Sequence, residues 1–349
     1  MKACTVTPGD PSTAGVEEIG EPPERDGDIV VDGVLVGVCG TDVEIVTKGY
    51  GVPPAGHKRL VLFHESLGRV HEASAGSAVK AGDLVVGIVR RPDPVPCACC
   101  AVGEWDFCRN GQFTERGIKE HDGYGSQRWR LEERFAVPIP AALGDLGVLT
   151  EPTSVVAKAW DQVDRVRARS CAPAEHVLVT GAGPIGLLAA LIGRQRGLEV
   201  TVLDRVTEGR KPDLVRDLGA TYHSGAPEDL PHRPDIVIEC TGVGQLVFDV
   251  LTLTAPDAVT CLTGISSGSR TLQTAADAVN KTLVLGNDVV VGSVNANRRH
   301  YDAAVQALAQ ADRDWLARLV TRRVPMPQWP SALERGADDV KVVVDLQAG

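Results

Sequence analysis

Three short segments of the sequence hold residue types that together could grip a transition metal. They are Gly37-Val38-Cys39-Gly40-Thr41-Asp42, Leu62-Phe63-His64-Glu65-Ser66-Leu67-Gly68 and Leu149-Thr150-Glu151-Pro152. A thiolate, an imidazole and a carboxylate, with one position left open, are what a catalytic zinc site requires. Singly, each segment has an ordinary explanation: a buried apolar thiol at Cys39, a surface pair at His64-Glu65, a helix-start carboxylate at Glu151. Their joint presence gains force from the segment that follows. Glu175 to Asp204 reads strand, glycine turn, helix, strand and then an acidic residue, and Gly181-Ala182-Gly183-Pro184-Ile185-Gly186 fits G-x-G-x-x-G. Gly181 suits a tight turn, Gly183 the close approach of a pyrophosphate, and Gly186 the contact of helix on strand. The helix N-terminus offers free amides and the positive end of its dipole to that pyrophosphate. In this strand-turn-helix context the motif predicts a dinucleotide site, and with it hydride transfer. Asp204 stands where a carboxylate bonds the adenosine ribose hydroxyls and repels a 2′-phosphate, which favours NAD. Arg205 beside it could instead hold that phosphate, so NADP stays open.

Two kinds of scaffold must position these residues. Residues 1–156 show short strands and many turns, with strand-like runs at Asp26 to Val38 and Leu84 to Val89. Frequent Gly, Pro and Asp suit a β-rich domain of irregular connections. Residues 157–297 alternate strands and helices, with strands expected at Val177–Val179, Thr201–Leu203, Asp235–Glu239, Val259–Thr263 and Val289–Val291. That alternation predicts a doubly wound parallel sheet covered by helices on both faces, an α/β fold. Residues 298–349 hold a helix at His300–Gln310 and a final strand at Lys341 to Leu346, expected to return to the first domain.

The bulk numbers narrow the function further. The 349 residues suffice for two domains with full cores. Aromatics make up only 4%, so the cores must rest on Val, Leu and Ala. A net charge of −10, with no basic run, argues against a nucleic-acid partner. The first residues, MKACTVTPGD, lack the apolar run of a signal peptide. Nor does any stretch reach the ~20 consecutive apolar residues of a membrane span. A cytoplasmic protein is expected. In that reducing setting the nine cysteines are no disulfide framework, and the cluster Cys97, Cys99, Cys100 and Cys108 points to metal.

Taken together, GVCGTD, the His64-Glu65 pair followed by Gly68, Glu151-Pro152 and GAGPIG make the chain resemble the zinc-dependent medium-chain dehydrogenase/reductase superfamily. These motifs run through both domains in that family's order. Val89-Arg90-Arg91-Pro92, Thr114-Glu115-Arg116-Gly117-Ile118 and Gly292-Ser293-Val294-Asn295 resemble its glucose dehydrogenase branch. The resemblance implies a GroES-like catalytic domain joined to a Rossmann domain. It implies that Cys39, His64 and a carboxylate, Glu65 or Glu151, hold a catalytic zinc. Thr41 would bond the substrate hydroxyl and relay its proton. Thr241, Gly242, Thr263 and Ile265 would line the nicotinamide end, and Asn295 would reach cofactor or substrate. Cys97, Cys100 and Cys108 resemble the family's structural zinc lobe. Pro94 stands where the first cysteine of its C-x2-C-x2-C-x7-C spacing belongs, and Cys99 is the candidate replacement. Phe63 stands where the family usually has Gly, and its ring is expected to narrow the pocket or stack on a ligand.

The substrate is less sharply written. Glu115 matches the branch carboxylate that takes sugar hydroxyls. Val89 and Val155 are apolar where some branch members carry Asn and Asp, which weakens glucose itself. Arg298, Arg299, Lys119 and His121 could surround the cleft mouth with positive charge and suit a phosphate. The expected substrate is therefore a polyhydroxylated alcohol: an aldose, a cyclitol, or a phosphorylated or nucleotide-linked sugar. A simple alcohol dehydrogenase is the competing enzyme. A catalytically silent cofactor-binding module is the competing non-enzyme, and the complete set Cys39, Thr41, His64, Glu65 and Glu151 argues against it. The resemblance also implies a homodimer or homotetramer.

Overall fold

Strand Ile29–Gly37 is the spine of the first unit, and its sequence IVVDGVLVG is buried along nearly its whole length. A central strand covered on both sides reads as an almost continuous apolar run, which is why the alternation of a half-exposed strand is missing. Among the residues described by this computed structural model (1–266, 268 and 270–348), the chain divides into two units. One comprises Met1–Ser154 with Asn295–Gly349, the other Val155–Val294.

In the first unit Ile29–Gly37 pairs antiparallel with Glu65–Glu72 on one side and with Lys341–Asp345 on the other. The last strand of the chain therefore completes the sheet of the first domain. Register then does the positioning. Gly37 lies opposite Glu65, and Val343 lies opposite Gly37. Cys39 just past one strand, His64 just before the second and Lys341 at the start of the third thus collect at one end of the sheet. Gly37 has to be glycine, because a Cβ there would fall 1.9 Å from Oε2 of Glu65.

The second unit is a parallel sheet in the order Thr221–His223, Glu199–Leu203, His176–Thr180, Ile236–Glu239, Val259–Leu262, Val289–Gly292. Numbered along the chain this is 3-2-1-4-5-6, the dinucleotide-binding order. Leu178, Leu203, Val237 and Val250 form a buried apolar cluster within it. The strand Thr221–His223 was not foreseen; at three residues it is too short to show a period. Helix Pro184–Gln195 begins with its proline in the first turn, where a missing N–H costs nothing. Gly181 sits at φ 86°, and a Cβ on Gly186 would lie 1.8 Å from the Gly181 carbonyl oxygen. Both glycines are therefore geometric requirements of the turn.

Candidate active site

Cys39 caps helix Gly40–Lys48, its backbone N–H donating to Oδ2 of Asp42 at 2.7 Å. The ligand atoms of Cys39, His64 and Glu65 all lie within 4.8 Å of one another. Thr41 Oγ1 is 3.8 Å from the Cys39 sulfur. Glu151, in the first turn of helix Thr150–Arg167, is buried and close enough to act electrostatically on His64. Asp42 is wholly buried, with Oδ1 unpartnered 3.7 Å from Nδ1 of His64, itself unpartnered.

Glu65 is shared between the candidate metal position and a buried cation. Both its oxygens accept from the buried Lys341 ammonium, at 2.7 and 2.6 Å, and that ammonium also donates to the Val38 carbonyl at 3.2 Å. Each Glu65 oxygen keeps a lone pair after accepting from the ammonium, so Glu65 and Glu151 both stay open as the carboxylate for a metal.

The charges around this point call for a cation. Burial works to lower the pKa of His64, but Asp42 and then Cys39 and Glu151 outweigh it and hold it well above the ordinary histidine range. Burial raises the Glu151 carboxyl to about 7, with His64 opposing and Glu65 adding to the rise. Asp42 is likewise raised by burial. A thiol, an imidazole and three carboxylates share one buried place with Lys341. Buried carboxylates are tolerated only when paired or bound to metal. The donor set of sulfur, nitrogen and oxygen is one that zinc accepts.

Phe63 does not act on the site as expected. Its ring is fully buried and packs edge-on against Trp329, with centroids 5.6 Å apart. Its backbone nevertheless keeps the conformation a glycine would favour, at φ 71°. Gly117 and Gly123 make room for that backbone, where a Cβ would fall 2.8 and 2.5 Å from the Phe63 carbonyl oxygen, and Gly125 makes room for the ring, where a Cβ would fall 2.7 Å from Cδ2.

In the second unit Asp204 closes strand Glu199–Leu203 and turns its carboxylate back toward the glycine turn. Oδ2 accepts from the Ala182 N–H at 2.6 Å and Oδ1 from the Val206 N–H at 3.1 Å. Arg205 is exposed. Glu239 went unnoticed in the sequence, where it looks like one more acidic residue. It is completely buried, and Oε1 accepts from the Thr180 hydroxyl at 3.1 Å, the Thr241 N–H at 2.8 Å and the Gly242 N–H at 3.1 Å. The Thr263 hydroxyl donates to the Glu239 carbonyl at 2.7 Å. The Glu239 carboxylate thus fixes Thr241 and Gly242, and its backbone carbonyl fixes Thr263, at the carboxyl ends of the strands. Ile265 follows them, largely exposed.

Back in the first unit, Glu115 is oriented through Oε1, which accepts from Arg90 at 3.0 and 2.9 Å and from the Asn295 amide at 2.7 Å. The expected ring of cations is not there to meet an anion. Arg299 forks onto Glu104 at 2.6 and 2.8 Å. Arg298 donates to Asp302 and to the Ala136 carbonyl, each at 2.9 Å. Lys119 donates to the Gly111 carbonyl and lies over the Phe113 ring. Burial, reinforced by Arg116, lowers the His121 pKa to about 2, so that imidazole is neutral. The argument for an anionic substrate falls with these pairings.

The cysteine lobe also differs from expectation. Sulfur atoms of Cys97, Cys100 and Cys108 lie within 4.8 Å of one another, without Cys99. On the single helical turn Ala98–Ala101, positions 97 and 100 share a face and 99 does not. The Arg109 N–H, then that of Cys100, draws the Cys97 thiol down to about 6, while burial pushes Cys100 up to about 11. Asp93 is buried beside Cys100, with Oδ2 unpartnered.

Comparison with known proteins agrees with this geometry. Residues 144–346 match the glucose dehydrogenase C-terminus family, and residues 25–141 match the alcohol dehydrogenase GroES-like domain. The chain belongs to the zinc-dependent medium-chain dehydrogenase/reductase superfamily, in its glucose dehydrogenase-like branch. It is 36% identical to a glucose 1-dehydrogenase of Methanocella arvoryzae over 100% of both chains. It is 37% identical to one of Thermoproteus tenax over 99% of this chain and 100% of the other. A solved structure of Haloferax mediterranei glucose dehydrogenase in complex with NADP, Zn and gluconolactone superposes with a TM-score of 0.92. Identity there is 29%, over 100% of each chain. As a member of this superfamily the chain is an NAD(P)-linked oxidoreductase with a catalytic zinc. No helix of the described residues is long and apolar enough to cross a membrane.

Proposed function

We propose that the chain oxidises an aldose at its anomeric hydroxyl, with glucose the first candidate, and passes the hydride to NAD in preference to NADP. The observation that carries this reading is the gathering of Cys39 and His64 at one end of the first sheet, with buried Glu151 beside them, in a chain similar throughout to glucose 1-dehydrogenases. Bound zinc supplies Lewis acidity that lowers a hydroxyl's pKa, and bound nicotinamide accepts hydride from the carbon bearing it. In this reading Cys39, His64 and Glu151 hold the zinc, while Glu65 balances Lys341 behind them. The Thr41 hydroxyl accepts the proton of the sugar hydroxyl and hands on its own. Glu115, set by Arg90 and Asn295, takes a second sugar hydroxyl through Oε2, and Asn295 reaches cofactor or substrate. Gly181, Gly183, Pro184, Ile185 and Gly186 cradle the pyrophosphate, and Asp204 faces the adenosine ribose. Thr241, Gly242, Thr263 and Ile265 border the nicotinamide. Cys97, Cys100 and Cys108 hold a second, structural zinc. A cytoplasmic homodimer or homotetramer completes the proposal.

The test is a substrate panel: glucose, other aldoses, polyols, a cyclitol, phosphorylated sugars and ethanol, each with NAD and with NADP. The reading expects the highest kcat/KM for a neutral aldose with NAD and formation of its lactone. Ethanol outperforming every sugar would contradict it, and so would the absence of turnover with any substrate in zinc-loaded protein.

A further inference from the structure

The amino-terminal end of the second unit's sheet carries donors that the dehydrogenase reading leaves unused. His176 heads strand His176–Thr180 and Glu199 heads strand Glu199–Leu203, and the two residues are register partners. His232 joins them from the segment before strand Ile236–Glu239. The ligand atoms of His176, Glu199 and His232 all lie within 4.8 Å of one another. His176 Nδ1 is 3.2 Å from a Glu199 oxygen. The two imidazoles stack, with centroids 4.2 Å apart and planes 6° from parallel. All three residues line a cavity of about 300 Å³.

We propose that His176, Glu199 and His232 form a binding site for a divalent transition-metal ion, zinc in the first instance, separate from the zinc sites of the first unit. Two imidazoles and one carboxylate make the donor set of an open zinc site, and imidazole suits nickel and copper as well. An ion among the three would bond one nitrogen of each imidazole and a Glu199 oxygen at once. A tetrahedral ion with zinc–nitrogen bonds of about 2.0–2.1 Å places two imidazole centres roughly 5 Å apart, so the rings must open by about 1 Å. His232 can supply that movement, because it is exposed and lies outside any helix or strand. Arg194 lines the same cavity, its guanidinium donating to the Leu198 carbonyl at 2.7 Å.

The consequence is structural. Strand His176–Thr180 leads into the glycine turn, and strand Glu199–Leu203 leads into Asp204. An ion at their amino ends ties together the two strands whose carboxyl ends carry the dinucleotide motif. Binding stabilises the folded protein by mass action.

The full-length protein is stripped with chelator, dialysed at neutral pH against micromolar zinc alone, and its metal counted by mass spectrometry. His176→Ala and His232→Ala are treated alike, with circular dichroism confirming the fold. The proposal expects each variant to hold one zinc per chain fewer than the wild type. It also expects zinc to raise the wild-type melting temperature more than that of His232→Ala, and glucose oxidation by zinc-loaded His232→Ala to stay unchanged. Equal zinc content in wild type and both variants overturns it. The exposed His232 keeps the test valid should His176→Ala fail to fold.

Discussion

Replacing Phe63 separates what its ring contributes from what its backbone costs. The ring is fully buried against Trp329, so truncation to Ala forfeits about 3–5 kcal/mol, the usual loss for a core phenylalanine. At an ordinary φ, Gly would then be less stable than Ala by about 0.5–1 kcal/mol through backbone entropy. Here φ is 71°, where an L residue with a Cβ is strained by roughly 1–2 kcal/mol. The strain offsets or outweighs the entropy, so Phe63→Gly should match Phe63→Ala or exceed it by up to about 1.5 kcal/mol. Urea unfolding of both variants, followed by tryptophan fluorescence, measures the order, and Trp329 reports on the site itself. Phe63→Ala more stable than Phe63→Gly by half a kcal/mol or more would refute the left-handed backbone. A loss under about 1 kcal/mol in both would refute the packed ring.

Three further outcomes are expected. Lys341→Met should cost about 3–5 kcal/mol by stranding the buried Glu65 carboxylate, and adding Glu65→Gln should recover most of it, as read by a double-mutant cycle of unfolding free energies. His121 is held neutral when folded, its pKa lowered to about 2, so the unfolded chain binds the extra proton below about pH 6.5. Stability from this group is therefore lost as pH falls, by up to about 2 kcal/mol between pH 6.5 and 5, and His121→Asn should flatten that part of the stability–pH curve. Cys99→Ser should leave zinc content unchanged, whereas Cys97→Ser or Cys108→Ser should lower it by one equivalent in elemental analysis.

What the sequence reveals follows the range of the forces involved. The glycine turn is legible because local geometry alone dictates it: Gly186 has no room for a Cβ against Gly181. Cys39 and His64 are legible by type, and their meeting follows from the pairing of two adjacent strands. Lys341 is not, because its partner Glu65 lies 276 residues away and only the sheet joins them. Arg299 misleads for the same reason, since Glu104 is 195 residues distant and in sequence the arginine looks unpaired. Cys99 shows a different limit: four close thiols reveal a cluster, but only the helical turn decides that Cys97 and Cys100, rather than Cys99, face Cys108. Phe63 marks the ligand's neighbour correctly, while the direction of its ring depends on Trp329 and on the distant Gly125.

The central claim is that zinc held by Cys39, His64 and Glu151 activates the sugar hydroxyl for hydride transfer. Zinc content, NAD binding and glucose oxidation measured together on the wild type and on His64→Ala test it most directly. The account predicts one zinc fewer per chain and dinucleotide binding retained. It also predicts turnover reduced by at least about 10³-fold, as expected when several kcal/mol of metal assistance are removed. Undiminished glucose oxidation in a His64→Ala protein that has lost that zinc would contradict it.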